Sequence, residues 1–430
     1  MSIDRTIQPP AVDISSPIIP FYETILLANG LPVHTISDET AEAVKVSLFF
    51  NAGLKSTAMP FLASTAASVW QQGTAKYSSL AFSTAIDSYG AYLSVTPAYE
   101  FTEITIHTLA KYFIPVMDLV MEMILQPAFR ESDIQVDTKN RKQRLITELK
   151  KTSFTAMSNF NKLCYGGLHP LGYTANPADA ENIHRLHVLD FYEKKLANAI
   201  FSVMISGKIG SNMVHWMELN LAKLPLDHTA KVEGPPSSPE GANYLFNLHP
   251  EANQSSLVMG KSLFSRLHPD FPKMRLLITL FGGYFGSRLM TNIREEKGYT
   301  YGISAYMNLY LNCGQFVIRT DVGTEVSAMA VKEIRHELQR LLDEEIPKQE
   351  LDLVRNYMLG TYLRSMDGAL AQSEIWSRLL NYGLGPEALE ANLDAVRFTT
   401  AKDLQALAQE YLLPDSMNLV VSGSLDIGCF

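Results

Sequence analysis

From Phe281 to Tyr301 the chain reads Phe281-Gly-Gly-Tyr-Phe-Gly-Ser-Arg-Leu-Met-Thr-Asn-Ile-Arg-Glu-Glu-Lys-Gly-Tyr-Thr-Tyr301, a polar stretch in apolar surroundings. The pattern predicts a helix that continues to about Lys297, where Gly298 can take the left-handed conformation that ends a helix. A strand is expected next, beginning at the two tyrosines. The glycines before Ser287 lie within the helical pattern, which favours close helix packing over a phosphate-binding loop.

Two hydrogen-bond donors stand out in this stretch. Arg294 falls in the last helical turn and Tyr301 at the start of the next strand, so a helix–turn–strand unit can aim both at one point. A charged donor beside a neutral one suits a peptide carbonyl or a developing oxyanion. Spacing alone nevertheless favours an ordinary arginine, paired with Glu295 or Glu296, beside a half-buried tyrosine.

The elements around this stretch follow an order that occurs twice in the chain, which predicts an internal repeat. In the second half the order is a strand at 254–259, a helix at 271–292, strands at 299–308 and 314–321, helices at 324–343 and 347–365, and a strand at 417–422. In the first half it is a strand at 44–50, helices at 59–72 and 78–88, strands at 91–97 and 101–109, helices at 111–126, 131–152 and 186–196, a strand at 200–205 and a helix at 211–222.

A hairpin opens the first half and a linker ends it. Asn29-Gly30 separates two apolar runs, 24–28 and 31–36, and this dipeptide is a strong hairpin signal. The run Gly234-Pro-Pro-Ser-Ser-Pro-Glu-Gly241 can continue neither a helix nor a central strand. We therefore predict domains at 1–233 and 242–430, joined by a linker at 234–241.

Composition excludes several classes of protein. The chain has 430 residues, and 36 Lys and Arg against 45 Asp and Glu give a net charge of −9. An acidic chain without a basic cluster argues against nucleic-acid binding. No apolar run reaches the roughly 18–20 residues of a membrane span, and the first residues lack the apolar stretch of a secretory signal, so we expect a cytoplasmic protein. Cys164, Cys313 and Cys429 lie far apart, which disfavours disulfides and thiolate metal sites.

Histidine spacing offers little for a metal site. His336-Glu337-Leu-Gln-Arg340 begins like the zinc motif H-E-x-x-H, but a cation in the fifth place would repel zinc, which predicts a surface helix face. His184 and His187 are expected on one helix face at i, i+3. Because a pair without a third ligand is more often solvated, this pair is a weak alternative site.

The 281–301 stretch resembles the C-terminal signature of the pitrilysin/insulinase-type zinc peptidases, which include mitochondrial processing peptidases and respiratory-complex core proteins. In that family an arginine and a tyrosine seven positions apart follow a Gly-Gly-x-x-x-S-R-L stretch, as Arg294 and Tyr301 do here. Gly73-Thr74 and His169-Pro-Leu-Gly172 are similar to further family segments, in the same order. The resemblance implies an α+β fold: two similar αβ domains in tandem, each a mostly antiparallel sheet packed with helices, forming half of a clamshell.

The chain departs from the family where zinc should bind. Aligned on Gly73-Thr74, the positions of the inverted motif H-x-x-E-H hold Ser64, Ala67 and Ser68. These positions share one helix face, but two hydroxyls do not replace imidazoles on zinc and alanine cannot act as a general base. Glu148 lies near the place of the family's third ligand, and alone it is more simply a solvated carboxylate.

The resemblance therefore implies a subunit without a metal of its own. In two-chain members of the family, a homologous partner brings zinc with H-x-x-E-H, and the other chain brings the Arg/Tyr pair to the peptide substrate. By this resemblance Arg294 and Tyr301 would contact the substrate backbone, and this chain would have no peptidase activity without its partner. The alternative is a non-catalytic scaffold similar to the respiratory-complex core proteins. A peptidase with a metal site moved to His184 and His187 is a third possibility.

Overall fold

The computed structural model of the chain describes residues 19–226 and 243–428. The strands are β1 (Glu23–Leu26), β2 (Pro32–Ser37), β3 (Ala43–Phe50), β4 (Tyr92–Pro97), β5 (Thr102–Leu109), β6 (Ile200–Gly207), β7 (Tyr244–Leu248), β8 (Gln254–Leu263), β9 (Ile303–Leu309), β10 (Gly314–Gly323) and β11 (Asn418–Gly423). The predicted linker at 234–241 lies outside the described residues, so the domain boundaries stay a prediction.

The helices alternate with these strands. They are α1 (Leu62–Trp70), α2 (Ser79–Ser88), α3 (Phe113–Leu125), α4 (Glu131–Glu148), α5 (Thr152–Tyr165), α6 (Pro177–Glu181), α7 (Arg185–Phe191), α8 (Ser211–Asn220), α9 (Phe271–Ile278), α10 (Ser327–Asp343), α11 (Lys348–Ser365), α12 (Ala369–Leu380), α13 (Pro386–Phe398) and α14 (Ala401–Tyr411). Three π-helical segments cover Tyr192–Leu196, Thr279–Gly283 and Met290–Glu296.

The two sheets repeat one topology. The first has the order β1-β2-β6-β3-β5-β4 and the second the order β7-β11-β8-β10-β9. In each, one parallel pair, β2 with β6 and β7 with β11, is followed by antiparallel pairs. Apart from β1, which forms the predicted hairpin with β2, each strand of the first sheet has a counterpart in the second. The predicted fold class, two similar αβ domains with mostly antiparallel sheets, is confirmed.

Both faces of each sheet are covered, which explains why the central strands are apolar almost throughout. Along β3, Val46 and Leu48 belong to the core of the first domain, while Phe49 points to the opposite face. On that face Phe49 and Met204 join a cluster made mainly of residues from the second half of the chain.

The outer face of each sheet is covered by a helix from the other half. Helix α5 lies on β8 and β11 of the second sheet, and Ala156, Phe160 and Cys164, spaced by four, are each 0% exposed there. Helix α12 lies on β2 and β6 of the first sheet. Its Glu374 forms an ion pair with Lys45, a lysine whose side chain is 4% exposed on that face. The two halves thus exchange one helix each.

Several element predictions were wrong. Helix α5 was not predicted at all, and the helix expected at 131–152 ends at Glu148. The helix expected at 271–292 ends in the π segment Thr279–Gly283, after which Tyr284 is extended, with φ −151° and ψ 173°. Strand β9 begins at Ile303, so Tyr301 precedes the strand rather than starting it.

Candidate functional site

The chain turns sharply between the two π segments, at 284–287. Buried Arg288 fastens this turn, donating from Nε and Nη2 to the two carboxylate oxygens of Glu350 at 2.7 and 2.9 Å. Gly282 lies against β9, where a Cβ would meet the Cβ of Ala305 at 2.6 Å. The predicted close packing at these glycines is therefore present, but against a strand rather than a helix.

The π segment Met290–Glu296 presents Arg294 and ends at Gly298. The N–H of Lys297 donates to the carbonyl of Asn292 at 3.0 Å, closing a wide turn, and Gly298 has φ +66°. The predicted helix end at Gly298 is confirmed. π turns are rare and are often found at functional sites. The local geometry therefore makes this segment a candidate functional site.

A buried hydrogen bond to α10 anchors the π segment Met290–Glu296. Asn292 donates from Nδ2 to Oε1 of Glu337 at 2.7 Å, and Glu337, 2% exposed, also accepts from Arg340 at 3.1 Å. The motif at 336–340 predicted a surface face for both His336 and Glu337. That was wrong for Glu337, which lies on the buried stripe of α10, although His336 is exposed. A carboxylate on the apolar stripe of an amphipathic helix was the signal for this contact.

Arg294 lies over an aromatic ring and not beside a carboxylate. Its guanidinium carbon is 4.5 Å from the ring centroid of Phe285, a side chain that is 60% exposed. Among the ion pairs of the described chain none involves Arg294, so the expected pairing with Glu295 or Glu296 is absent. The half-buried guanidinium keeps its N–H donors available, as a cation held on an aromatic face can.

Tyr301 is 92% exposed, whereas spacing alone favoured a half-buried tyrosine. The backbone beside it is fixed, because the hydroxyl of Thr300 donates to the carbonyl of Asp321 at 2.7 Å and accepts from the N–H of Gly302 at 3.1 Å. The segment thus carries two available donors, Arg294 and Tyr301, on an anchored backbone. Among the described residues, the cation–π contact of Arg294 is with Phe285, and no hydrogen bond or ring contact joins Arg294 to Tyr301.

The structure contains the helix on which the family's zinc motif would lie, and the positions of that motif hold no metal-ligating side chains. On α1, Ala67 is 0% exposed and the two serines, Ser64 and Ser68, are half-buried. Arg141 of α4 donates from Nη2 to the backbone carbonyl of Ser64 at 2.7 Å and from Nε to Asp137 at 2.6 Å. A fixed guanidinium therefore lies beside α1, and these residue types do not fit a zinc ion.

Other candidate ligands do not converge. In the parts of the chain that the structure describes, no three His, Cys, Asp or Glu side chains are grouped to hold a metal ion. His184 precedes α7 as its N-cap instead of sharing a helix face with His187, whose Nδ1 accepts the N–H of His184 at 3.2 Å. Glu148 bonds to Lys151 at 2.6 Å.

Cys164 and Cys313 are both buried, and neither is part of a disulfide. Burial raises the pKa of Cys164 to about 12 and that of Cys313 to about 11, so both are protonated at neutral pH. Cys429 lies outside the described residues. Neither of these two thiols therefore supplies a thiolate at neutral pH.

Two family models match this chain. The model described as "Insulinase (Peptidase family M16)" covers residues 33–159, and "Peptidase M16 inactive domain" covers 182–358. The chain belongs to peptidase family M16. The resemblance to insulinase-type peptidases is thereby confirmed, and the Arg294–Tyr301 segment falls in the match to the inactive domain.

Its relatives within M16 carry different descriptions. An uncharacterised zinc protease of Rickettsia bellii is 21% identical over 364 residues, covering 81% of this chain and 84% of that protein. The non-peptidase homolog YmxG of Helicobacter pylori is 22% identical over 314 residues, 70% of each chain. The mitochondrial-processing peptidase subunit alpha of Solanum tuberosum is 20% identical over 343 residues, 76% of this chain and 67% of the relative.

Solved structures show the same fold. A peptidase M16 inactive domain from Pseudomonas fluorescens superposes with a TM-score of 0.86 at 20% identity. The superposition covers 95% of this chain and 100% of that protein. A protease from Helicobacter pylori gives 0.85 at 16% identity, with coverage of 94% and 100%. Within residues 19–226 and 243–428, no helix is both long and apolar enough to cross a bilayer. The cytoplasmic location stays a prediction.

Proposed function

We propose that this M16 chain is the Arg/Tyr subunit of a two-chain peptidase whose homologous partner carries H-x-x-E-H and zinc. In this assembly the chain forms half of a clamshell around a peptide. The guanidinium of Arg294 and the hydroxyl of Tyr301 bind the backbone carbonyl of the substrate and stabilise the negative charge that develops on its oxygen. The availability of these two donors, on a chain whose α1 face lacks ligands, carries the proposal.

A comparison with a neighbouring arginine supports this role. Arg288, six residues earlier, is buried in a bidentate pair with Glu350, which is how a structural arginine is held. Arg294 has Phe285 beneath it and no carboxylate partner among the described residues. An arginine kept half-exposed and unpaired, on a backbone fixed through Asn292, is suited to meet a ligand.

Reconstitution tests the proposal. The full chain is purified alone, its H-x-x-E-H homologue alone, and the two together, and each sample is assayed for bound zinc by elemental analysis and for cleavage of a peptide library. We expect zinc in the homologue and cleavage only in the pair. Stoichiometric zinc or robust cleavage in this chain alone would overturn the proposal.

The second candidate is a non-catalytic scaffold, and the similarity to a protein described as a non-peptidase homolog favours it. A scaffold has no use for the two donors. If the assembled pair cleaves peptides equally well with the parent chain and with Arg294→Ala, the scaffold function is supported and the Arg/Tyr role fails.

A further inference from the structure

A cavity of about 460 Å³ lies in the second half of the chain. Helices α9, α11, α12 and α13 surround it together with the segment that follows β8. Its walls are mostly apolar, but three arginines also line it: Arg266, Arg275 and Arg378. None of the described residues that line it is an aspartate or a glutamate. Three positive charges therefore face one apolar space without a lining counter-charge.

The arginines are held by neutral groups. Arg275 donates from Nη1 to the hydroxyl of Tyr362 at 2.6 Å, and Arg378 donates from Nε to a backbone carbonyl at 3.2 Å. The guanidinium of Arg266 stacks on the ring of Tyr382 at 4.6 Å. No ion pair of the described chain includes any of the three.

Buried polar atoms in the lining lack partners. The Nε of Arg266 and the Oδ1 of Asn392 are both buried without a hydrogen bond. Asn392 is 6% exposed, and because its Nδ2 donates to the carbonyl of Ala388 at 2.6 Å, the oxygen is the unmatched atom. Buried polar groups are normally hydrogen-bonded, and of these two atoms only the Nε–H of Arg266 is a donor that an anion could satisfy.

The charges around Arg266 are consistent with this. Burial lowers the pKa of Arg266, and the charges of Arg378 and Arg275 lower it further, while Tyr382 and Glu100 act in the opposite direction. Glu100 lies outside the lining and accepts the backbone N–H of Leu311. An anion within the cavity would relieve the repulsion among the arginines.

We propose that this cavity binds an organic anion with a carboxylate head and an apolar body. The three arginines hold the carboxylate, with the hydroxyl of Tyr362 as a further donor, since Tyr362 accepts from Arg275 and keeps its own proton. The apolar walls, among them Phe271, enclose the body, as in other small-molecule sites. A free medium-chain acid and the C-terminus of a peptide share this chemistry.

A ligand series on the unmodified chain separates charge from apolar contact. Decanoate, decanol and decylamine have the same chain and different heads, and each is titrated into the full-length protein by isothermal calorimetry. We expect saturable binding at one site for decanoate and none for the other two. Equal binding of decanol, or no binding of decanoate, would overturn the proposal.

Variants locate the site. Arg275→Gln and Arg378→Gln remove one charge each, and Arg364→Gln removes a charge from the exposed side of α11, outside the cavity. Since hydrogen bonds to charged groups are the strong ones, decanoate should bind about tenfold more weakly, or worse, to the first two variants. The control should bind as the parent does. Arg378 is exposed, so this variant is expected to fold, and unchanged circular dichroism verifies that.

Peptides distinguish the two sources of the carboxylate. A short peptide that ends in a free leucine is compared with its C-terminal amide as a competitor of decanoate. Competition by the free acid alone assigns the site to peptide C-termini, and absence of competition by both assigns it to small acids. Equal competition by the amide would show that the carboxylate is not recognised and would contradict the proposal.

Discussion

The α1 face lacks the metal ligands of the zinc motif, whereas the 290–301 segment keeps the Arg/Tyr pair of the family signature. Helix α1 is held by apolar packing, with Ala66, Ala67 and Trp70 each 0% exposed, and none of that packing depends on a metal. The 290–301 segment is held by polar contacts and presents two donors, Arg294 and Tyr301. A helix whose scaffold is independent of its ligands can lose them without unfolding, so the fold alone does not report chemistry at α1.

The largest expected effect comes from Arg294. In the assembled pair, Arg294→Ala should lower kcat/KM for a peptide by about 10²–10³, the usual loss when one preorganised donor to an oxyanion is removed. Arg294→Lys should recover part of this, since it keeps the charge but not the fork of donors. Steady-state kinetics check it.

The matching change on α1 is the control. Ser68→Ala alters a position that we expect to have no chemical role, so kcat/KM of the pair should stay at the parent value. If Ser68→Ala is as damaging as Arg294→Ala, the contrast between the two regions is wrong.

The hydrogen bond between Asn292 and Glu337 should contribute to the free energy of unfolding. Glu337→Ala removes the buried acceptor of the Asn292 amide, which then keeps only its longer contact with Glu333 at 3.3 Å, and should lower the free energy of unfolding by about 1–3 kcal/mol. Urea denaturation measures this. Glu344→Ala removes the exposed partner of the same Arg340 and should cost much less, and equal losses would show that burial of the Asn292 contact is unimportant.

A smaller effect is expected at Phe285. Phe285→Ala removes the ring under Arg294, and exposed cation–π contacts contribute about 0.5–1 kcal/mol. In the pair, cleavage should fall about two- to fivefold. Phe285→Tyr keeps the ring and should restore the rate, whereas equal rates for all three chains would mean that the ring does not position Arg294.

The smallest effect is expected from restoring the motif. Ser64→His, Ala67→Glu and Ser68→His together recreate H-x-x-E-H on α1, but Glu148, near the place of the third ligand, is paired with Lys151, and the guanidinium of Arg141 remains beside the helix. We expect no stoichiometric zinc by elemental analysis and no cleavage by the chain alone. Tight zinc binding by this triple variant would show that only the three side chains separate the two kinds of subunit.

The sequence predicted most of the fold because strand and helix periodicities are local. It placed the hairpin at Asn29-Gly30, the repeated order and the helix end at Gly298. It missed α5, whose polar and β-branched residues obscure a helix that shows only as apolar positions spaced by four, Ala156, Phe160 and Cys164. It also missed that Arg141 reaches Ser64, since a contact between distant helices has no local signature.

The candidate site was predicted in part for the same reason. Arg294 and Tyr301 stand in one short motif, so the sequence alone could single out both as candidates, and their role stays a prediction. The ring of Phe285 under Arg294 and the buried Glu337 depend on how the chain turns after Gly283 and on which face of α10 is covered. Both features depend on tertiary structure. For Glu337 the sequence offered one signal, its position on the apolar stripe of α10.

The exchange of α5 and α12 has a consequence for folding. A duplicated unit is expected to fold on its own, but here neither sheet is closed until a helix arrives from the other half. Without α5, Val258 and Val420 would face water, and without α12 one side of β2 and β6 would be uncovered and Lys45 would lose its counter-charge, Glu374. The two halves therefore form a single cooperative unit, and a chain severed between residues 226 and 243 should need both fragments to regain either core.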